Sequence, residues 1–218
     1  MYFASRMQAG RMLAAQLVKK YRYENCAVVA LNDGGVVVGA QISSQLHSVL
    51  MMLQTAEIHL PMEPEAFAGI SQTGSFAYNT AYSEGEIEEL NADYYHFVEQ
   101  EKMSKMQDMQ RLIGDGGMIS KDLLRGRTII LVSDGFASAF SIDIAMEYLK
   151  PVQMEKLIIA TPLSSLKAVD RMHMIADEIY CLSVIEDYMW TDHYYDMNDV
   201  PDHSKIIEII EKIILEWK

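Results

Sequence analysis

The chain has 218 residues, half of them hydrophobic and 22% charged, which is enough to bury a substantial core and too apolar for wholesale disorder. Eighteen Lys and Arg against 31 Asp and Glu leave a formal charge of −13. That balance argues against a nucleic-acid partner, because neutralising phosphates needs a basic face, and equally against docking on anionic lipid. No apolar run approaches the roughly 18 residues of a membrane span, and Met1-Tyr2-Phe3-Ala4-Ser5-Arg6 lacks the basic-then-apolar layout of a signal peptide. A soluble, cytoplasmic protein is the expectation.

In chain order, residues 26–31 form a continuous apolar run ended by Asn32-Asp33-Gly34-Gly35, which predicts a buried strand and a turn. Apolar residues at helical spacing predict a helix over 36–52. Residues 71–83 mix small, polar and aromatic types, as a mobile loop or hairpin would, and 84–113 read as a long helix stopped at 114–117. A second, β-branched strand over 128–132 runs into Ser133-Asp134-Gly135. Helix 142–149, strand 156–161, helix 164–175 and strand 178–182 follow, and an Ile-rich helix over 203–217 closes the chain. This alternation predicts an α/β fold: a mostly parallel twisted sheet flanked by helices, in a single domain over 1–218 with a long helical insertion.

Open parallel sheets bind ligands beyond the carboxyl ends of their strands, which directs attention to residues 132–141. Backbone N–H groups there, with Ser138 and Ser141 as added donors, could cradle a phosphate. Asp134 could accept hydrogen bonds from sugar hydroxyls or reach a hydrated Mg²⁺. A capped turn, with Ser141 as N-cap and Asp134 closing an Asx-turn, accounts for the same residues equally well. The Gly-Lys-Ser/Thr ending of a nucleotide P-loop is absent.

The same stretch resembles the phosphoribosyl-diphosphate signature of type I phosphoribosyltransferases, an apolar strand leading into Asp-Asp-Gly-x-Ala-Thr-Gly-x-Thr. Leu124, Gly126, Arg127 and Ile129 to Val132 match the preceding run of one bacterial subgroup. Phe3, Arg6, Ala9, Gly10, Leu13 and Ala14 match that subgroup's opening, and Asp33-Gly34-Gly35-Val36-Val37-Val38 its Arg-Gly-Gly-Val-x-Val. Tyr194-Tyr195-Asp196-Met197 loosely echoes a late aromatic-aromatic-x-Asp-Phe patch.

The resemblance implies transfer of phosphoribosyl from phosphoribosyl diphosphate to a nitrogen nucleophile such as a nucleobase, with Mg²⁺ as cofactor. It places Ser133, Asp134 and Gly135 at the ribose, with Asp134 as the catalytic contact to its hydroxyls. It places Ala137, Ser138, Ala139, Phe140 and Ser141 around the 5′-phosphate, and Asp33, Gly34 and Gly35 along the pyrophosphate; Asp134 or Asp33 could meet a metal through water. Several residues of the pattern are replaced here: Ser133 for the first acid, Ala139 for the loop glycine, and Asp33 for an arginine beside the pyrophosphate. Residues 60–63 do not match the subgroup's Arg-Lys-Leu-Gly. A phosphoribosyltransferase fold that has lost transfer and keeps a binding or regulatory role is therefore the alternative.

The segment 186–196 could stack Trp190, Tyr194 or Tyr195 on a nucleobase, or form an aromatic surface patch. None of the six histidines forms a His-x-x-x-His or His-Glu-x-x-His pair, so a metal centre is not expected. Cys26 and Cys181, the two cysteines, lie in apolar stretches and predict buried, reduced thiols. The Met-rich long helix and the Ile-rich C-terminal helix suggest a homodimer.

Overall fold

A computed structural model describes residues 2–63, 65–113 and 119–215. The expected helix stop at 114–117 and residues 216–217 of the C-terminal helix lie outside these. The elements in order are α1 (Arg6–Tyr21), β1 (Cys26–Ala30), α2 (Asp33–Leu46), β2 (Val49–Met52), β3 (Thr55–Ile58), β4 (Ala68–Ser71), β5 (Phe76–Tyr78) and α3 (Glu84–Ile113). They continue with β6 (Thr128–Val132), α4 (Phe140–Leu149), β7 (Lys156–Ser165), α5 (Leu166–Ile175), β8 (Glu178–Ile185) and α6 (His203–Leu215). Among the described residues no helix is long and apolar enough to cross a membrane.

The chain packs as two compact units. The first comprises Met1–Met52, Asp115–Ala139 and Val152–Lys218. It holds a five-stranded parallel sheet in the order β2-β1-β6-β7-β8. Every residue of β1 and β6 is buried, which explains why these strands read as unbroken apolar runs rather than as alternating ones. On one face Val28, Ala30, Ile130, Val132, Ile158 and Ala160 pack with Leu13 and Leu17 of α1, Val38 and Ile42 of α2, and Ile206, Ile210 and Ile213 of α6. The isoleucine stripe of α6 is thus core, each such side chain contributing about 1.5–3 kcal/mol by burial.

The second unit comprises Leu53–Gly114 and Phe140–Pro151. Its antiparallel sheet, in the order β3-β4-β5, packs Ile58, Phe67 and Ala68 against Val98 and partly buried Ile87, Leu90 and Tyr94 of α3. Residues 71–83 contain the β4–β5 turn and β5. The long helix α3 is kinked at Tyr94, whose φ of −111° and ψ of 17° leave the helical region.

Several boundaries depart from the sequence expectation. Helix α2 begins at Asp33 because Asn32, extended at φ −155°, accepts from the Gly35 amide as N-cap, so the predicted turn is the helix's first turn. The same helix ends at His47, in the left-handed region at φ 53°, and residues 49–52 leave it to become β2. Strand β7 continues to Ser165, which caps α5 by accepting from the Ala168 amide.

Cys26 is buried, and burial first, then the charges of Glu24 and Glu155, push its thiol up to about 11; burial also raises half-buried Cys181. The neutral thiol therefore persists until the pH nears that value, and only the thiolate is alkylated. Iodoacetamide at pH 8 should label Cys26 slowly in the folded protein and fully in urea, as mass spectrometry of the labelled peptides would show. Rapid labelling of the folded chain at pH 8 would contradict this environment.

Candidate functional site

In the first unit β1 and β6 run in register, with Ala30 opposite Val132, so the segments after them leave the sheet side by side. The Leu31 amide donates to the Val132 carbonyl at 2.9 Å, keeping the two exits together. Asn32 then bridges them: its carboxamide oxygen caps α2, and its Nδ2 donates to Asp134 Oδ1 at 2.8 Å and Ser133 Oγ at 3.3 Å.

Gly34 and Gly35 are required here by the protein's own atoms. A Cβ on Gly34 would collide with the Asp134 carboxylate, and one on Gly35 would lie 2.9 Å from the Val132 carbonyl oxygen. The paired glycines thus let the first turn of α2 close on the loop after β6.

Arg6, the first residue of α1, holds the other side of Asp134. Its side chain is 2% exposed. Its Nε donates to Asp134 Oδ2 at 2.6 Å, one Nη to Asn198 at 3.2 Å, and the other Nη to Asp192. The guanidinium lies over the Tyr195 ring at 4.4 Å, and the Tyr195 hydroxyl donates to the Asp134 carbonyl at 2.6 Å. Asp199, 3.9 Å from the guanidinium, accepts from the backbone amides of Arg6 and Met7, completing the start of α1. Burial alone would lower the Arg6 pKa, but the charges and hydrogen bonds of Asp134 and Asp192 outweigh it and hold the guanidinium above its ordinary value. The Tyr195 phenol is raised far by burial and then by the Asp134 charge, so it stays a donor.

The loop beyond is pinned at its start and open in its middle. Ser133 Oγ donates to the Gly135 carbonyl at 3.0 Å. A Cβ on Gly135 would collide with the Tyr188 hydroxyl and lie 2.9 Å from the Thr191 methyl, so these side chains wall that position. Tyr188 and Thr191 share a 2.9 Å hydroxyl contact, and burial, followed by the Thr191 bond acting downward and the Asp134 charge acting upward, pushes the phenol up to about 12. Phe136 is buried and joined to β7 through Leu163 and Ser165. Ala137 and Ser138 are exposed, Ala139 is buried, and the chain then enters α4.

Phe140 turns into the apolar core of the second unit with Ala66 and Ile144. Ser141 is inside the first turn of α4, not at its cap, which corrects the capped-turn expectation for that residue.

The remaining predicted residues separate. Asp33, expected along the pyrophosphate and able to meet a metal through water, has both carboxylate oxygens at 2.9 and 3.1 Å from His203 Nδ1 on α6. Tyr194 is buried, accepting from the Met189 amide at 3.0 Å and donating to the Asp187 carbonyl at 3.3 Å. Tyr195 is buried beneath Arg6; Trp190 alone of the three aromatic candidates shows its ring to solvent, at 57% exposure. The acids weighed for Mg²⁺ do not fit a protein-held ion. Asp134 is taken up by Arg6 and Asn32, and Asp33 by His203. Among the described residues no group of three or more His, Cys, Asp or Glu is arranged to hold a metal.

Comparison with known proteins then fixes the class. The phosphoribosyl transferase domain profile matches residues 3–197, and the chain belongs to that family. Two Mycobacterium tuberculosis proteins, both bearing the name "Putative phosphoribosyl transferase", are 28% identical over 182 residues, or 83% of this chain. The chain spans 40% of the length of these relatives. The crystal structure of TT1426 from Thermus thermophilus is 23% identical, covers 100% of this chain and 99% of its own, and superposes with a TM-score of 0.74, so the fold is shared.

Gly34 gives a direct check on this geometry. Gly34→Ala must push a methyl into a carboxylate already held by Arg6, and should lower stability by about 1–3 kcal/mol, or roughly 2–12 °C in Tm. An alanine variant melting with the wild type in calorimetry would mean that α2 does not approach Asp134 this closely.

Proposed function

We propose that this domain binds phosphoribosyl diphosphate at the carboxyl end of β6 and transfers the phosphoribosyl group to a nitrogen nucleophile such as a nucleobase. The carrying observation is the exposure of Ala137 and Ser138 in the loop that follows Phe136, itself fixed to β7. A segment poor in side chains at that edge of a parallel sheet suits a phosphate, whose oxygens accept from backbone N–H groups. In this reading Ala137, Ser138 and Ala139 meet the 5′-phosphate through their backbone, and Ser133, Asp134 and Gly135 border the ribose. Asp33, Gly34 and Gly35 lie toward the pyrophosphate, and Trp190 is the platform for the base.

Transfer breaks the bond from the anomeric carbon to a pyrophosphate oxygen and forms a bond from that carbon to nitrogen. The nucleophile's proton leaves to solvent, and the pyrophosphate carries away the electron pair. The transition state resembles an oxocarbenium ion, so positioning and charge stabilisation carry most of the catalysis. A specific observation favours a second reading, binding without transfer: both carboxylate oxygens of Asp134 are engaged and its side chain is 6% exposed. Turning it toward a ribose would give up contacts to a buried cation.

Isothermal titration with phosphoribosyl diphosphate, with and without Mg²⁺, combined with an assay of pyrophosphate release on nucleobases, separates the readings. Saturable binding with release, both weakened about tenfold or more by Asp134→Asn, is the expected result. Binding without release would support the second reading, and absence of binding would contradict both.

A further inference from the structure

The Arg6 cluster contains one arm unlike the others. Two parts of the guanidinium are closed, Nε on Asp134, whose side chain is 6% exposed, and one face on the Tyr195 ring, while one Nη lies on Asn198, which is exposed but neutral. The last Nη is covered by Asp192, whose side chain is 55% exposed. Asp134 has a second partner in Asn32, and Asp199 has the first amides of α1, so each keeps a hydrogen-bond donor of its own besides Arg6. Among the described residues, Arg6 alone donates a hydrogen bond to the Asp192 carboxylate. More than half exposed, the Asp192 carboxylate already meets water on its outer side.

The place it covers borders the loop already described. Asp192 follows Thr191, which walls Gly135, and Gly135 follows Asp134. A half-exposed carboxylate on a fully buried guanidinium is a poor source of stability, because water competes for one partner while the other remains desolvated. It is well suited to hold the position of another anion.

We propose that Asp192 masks Arg6 as an anion-receiving group, and that a phosphate oxyanion takes its place on the Arg6 Nη when a phosphorylated ligand binds. A planar guanidinium meets phosphate and carboxylate with the same donor geometry, so the exchange preserves the hydrogen bond while the displaced carboxylate gains water. The inference deepens the reading above, since the ligand class is the one proposed there, but its test does not depend on transfer or on binding of the diphosphate. Trp190, two residues from Asp192 and exposed, reports on the exchange by its fluorescence once Trp217 is replaced by Phe.

The experiment titrates inorganic phosphate into the Trp217→Phe protein and into the same protein carrying Asp192→Asn, Asp196→Asn, or Asp192→Asn with Arg6→Lys. Unmasking should tighten phosphate binding at least tenfold, since it removes one negative charge from direct contact with the receiving group. Asp196→Asn deletes the same charge from a nearby exposed site and should change affinity less than threefold. Arg6→Lys should cancel the gain, and melting curves would verify that each variant is folded. Equal affinity of the Asp192→Asn and parent proteins, an equal gain from Asp196→Asn, or no phosphate binding by either protein overturns the proposal. Diphosphate binding by the wild type, measured separately, decides the functional reading on its own.

Discussion

A guanidinium removed from water must be met by acceptors on every side, and Arg6 meets that demand by drawing four stretches of chain to one point. The start of α1 carries it, the loop after β6 supplies Asp134, and the segment before α6 supplies Asp192, Asn198 and the Tyr195 ring. Asn32, at the start of α2, closes the far side of Asp134. The exits of β1 and β6 are therefore set relative to α1 and the segment before α6 by electrostatics as well as by apolar packing. Such pairs contribute little beyond a well-packed apolar substitute, but they are costly to break singly, which suits a role in fixing geometry.

This arrangement changes the meaning of the signature residues. Gly34 and Gly35 match a family pattern, yet in this chain their missing Cβ atoms already have a use, in the approach of α2 to Asp134 and Val132. The Asp33 carboxylate, which looked like an unbalanced charge beside a polyanion, rests on His203. In the loop after β6, Ala137 and Ser138 are the exposed residues, and the Tyr188–Thr191 pair lies against Gly135.

Much of the first unit was legible because its signals are local. Continuous apolar runs in a parallel sheet marked β1, β6 and β7, and the 3.6-residue stripe of α6 marked a core face. The short strands β2 and β3 were not legible, since four residues carry no usable period, and helical spacing in α2 ran on through 49–52. In the site, Asp134 and the loop after it followed from position at a strand end. The partners did not: Arg6 and Asp134 are 128 residues apart, and Asp33 and His203 are 170 apart. Arg6 was visible only as one letter of a family motif, with nothing to show that it would be buried. Tyr194 and Tyr195 misled for the same reason, because composition cannot distinguish a ring that stacks on a ligand from one that lies beneath an arginine.

Arg6 and Asp134 hold each other as one buried pair. A double-mutant cycle of Arg6→Met and Asp134→Leu, read by urea unfolding, tests this most directly. Each single substitution should cost about 3–5 kcal/mol by stranding its buried partner, and the double variant should cost less than the sum by at least about 2 kcal/mol. Effects that add to within about 0.5 kcal/mol would show that the two residues are not coupled, and the account of the site would fail with them.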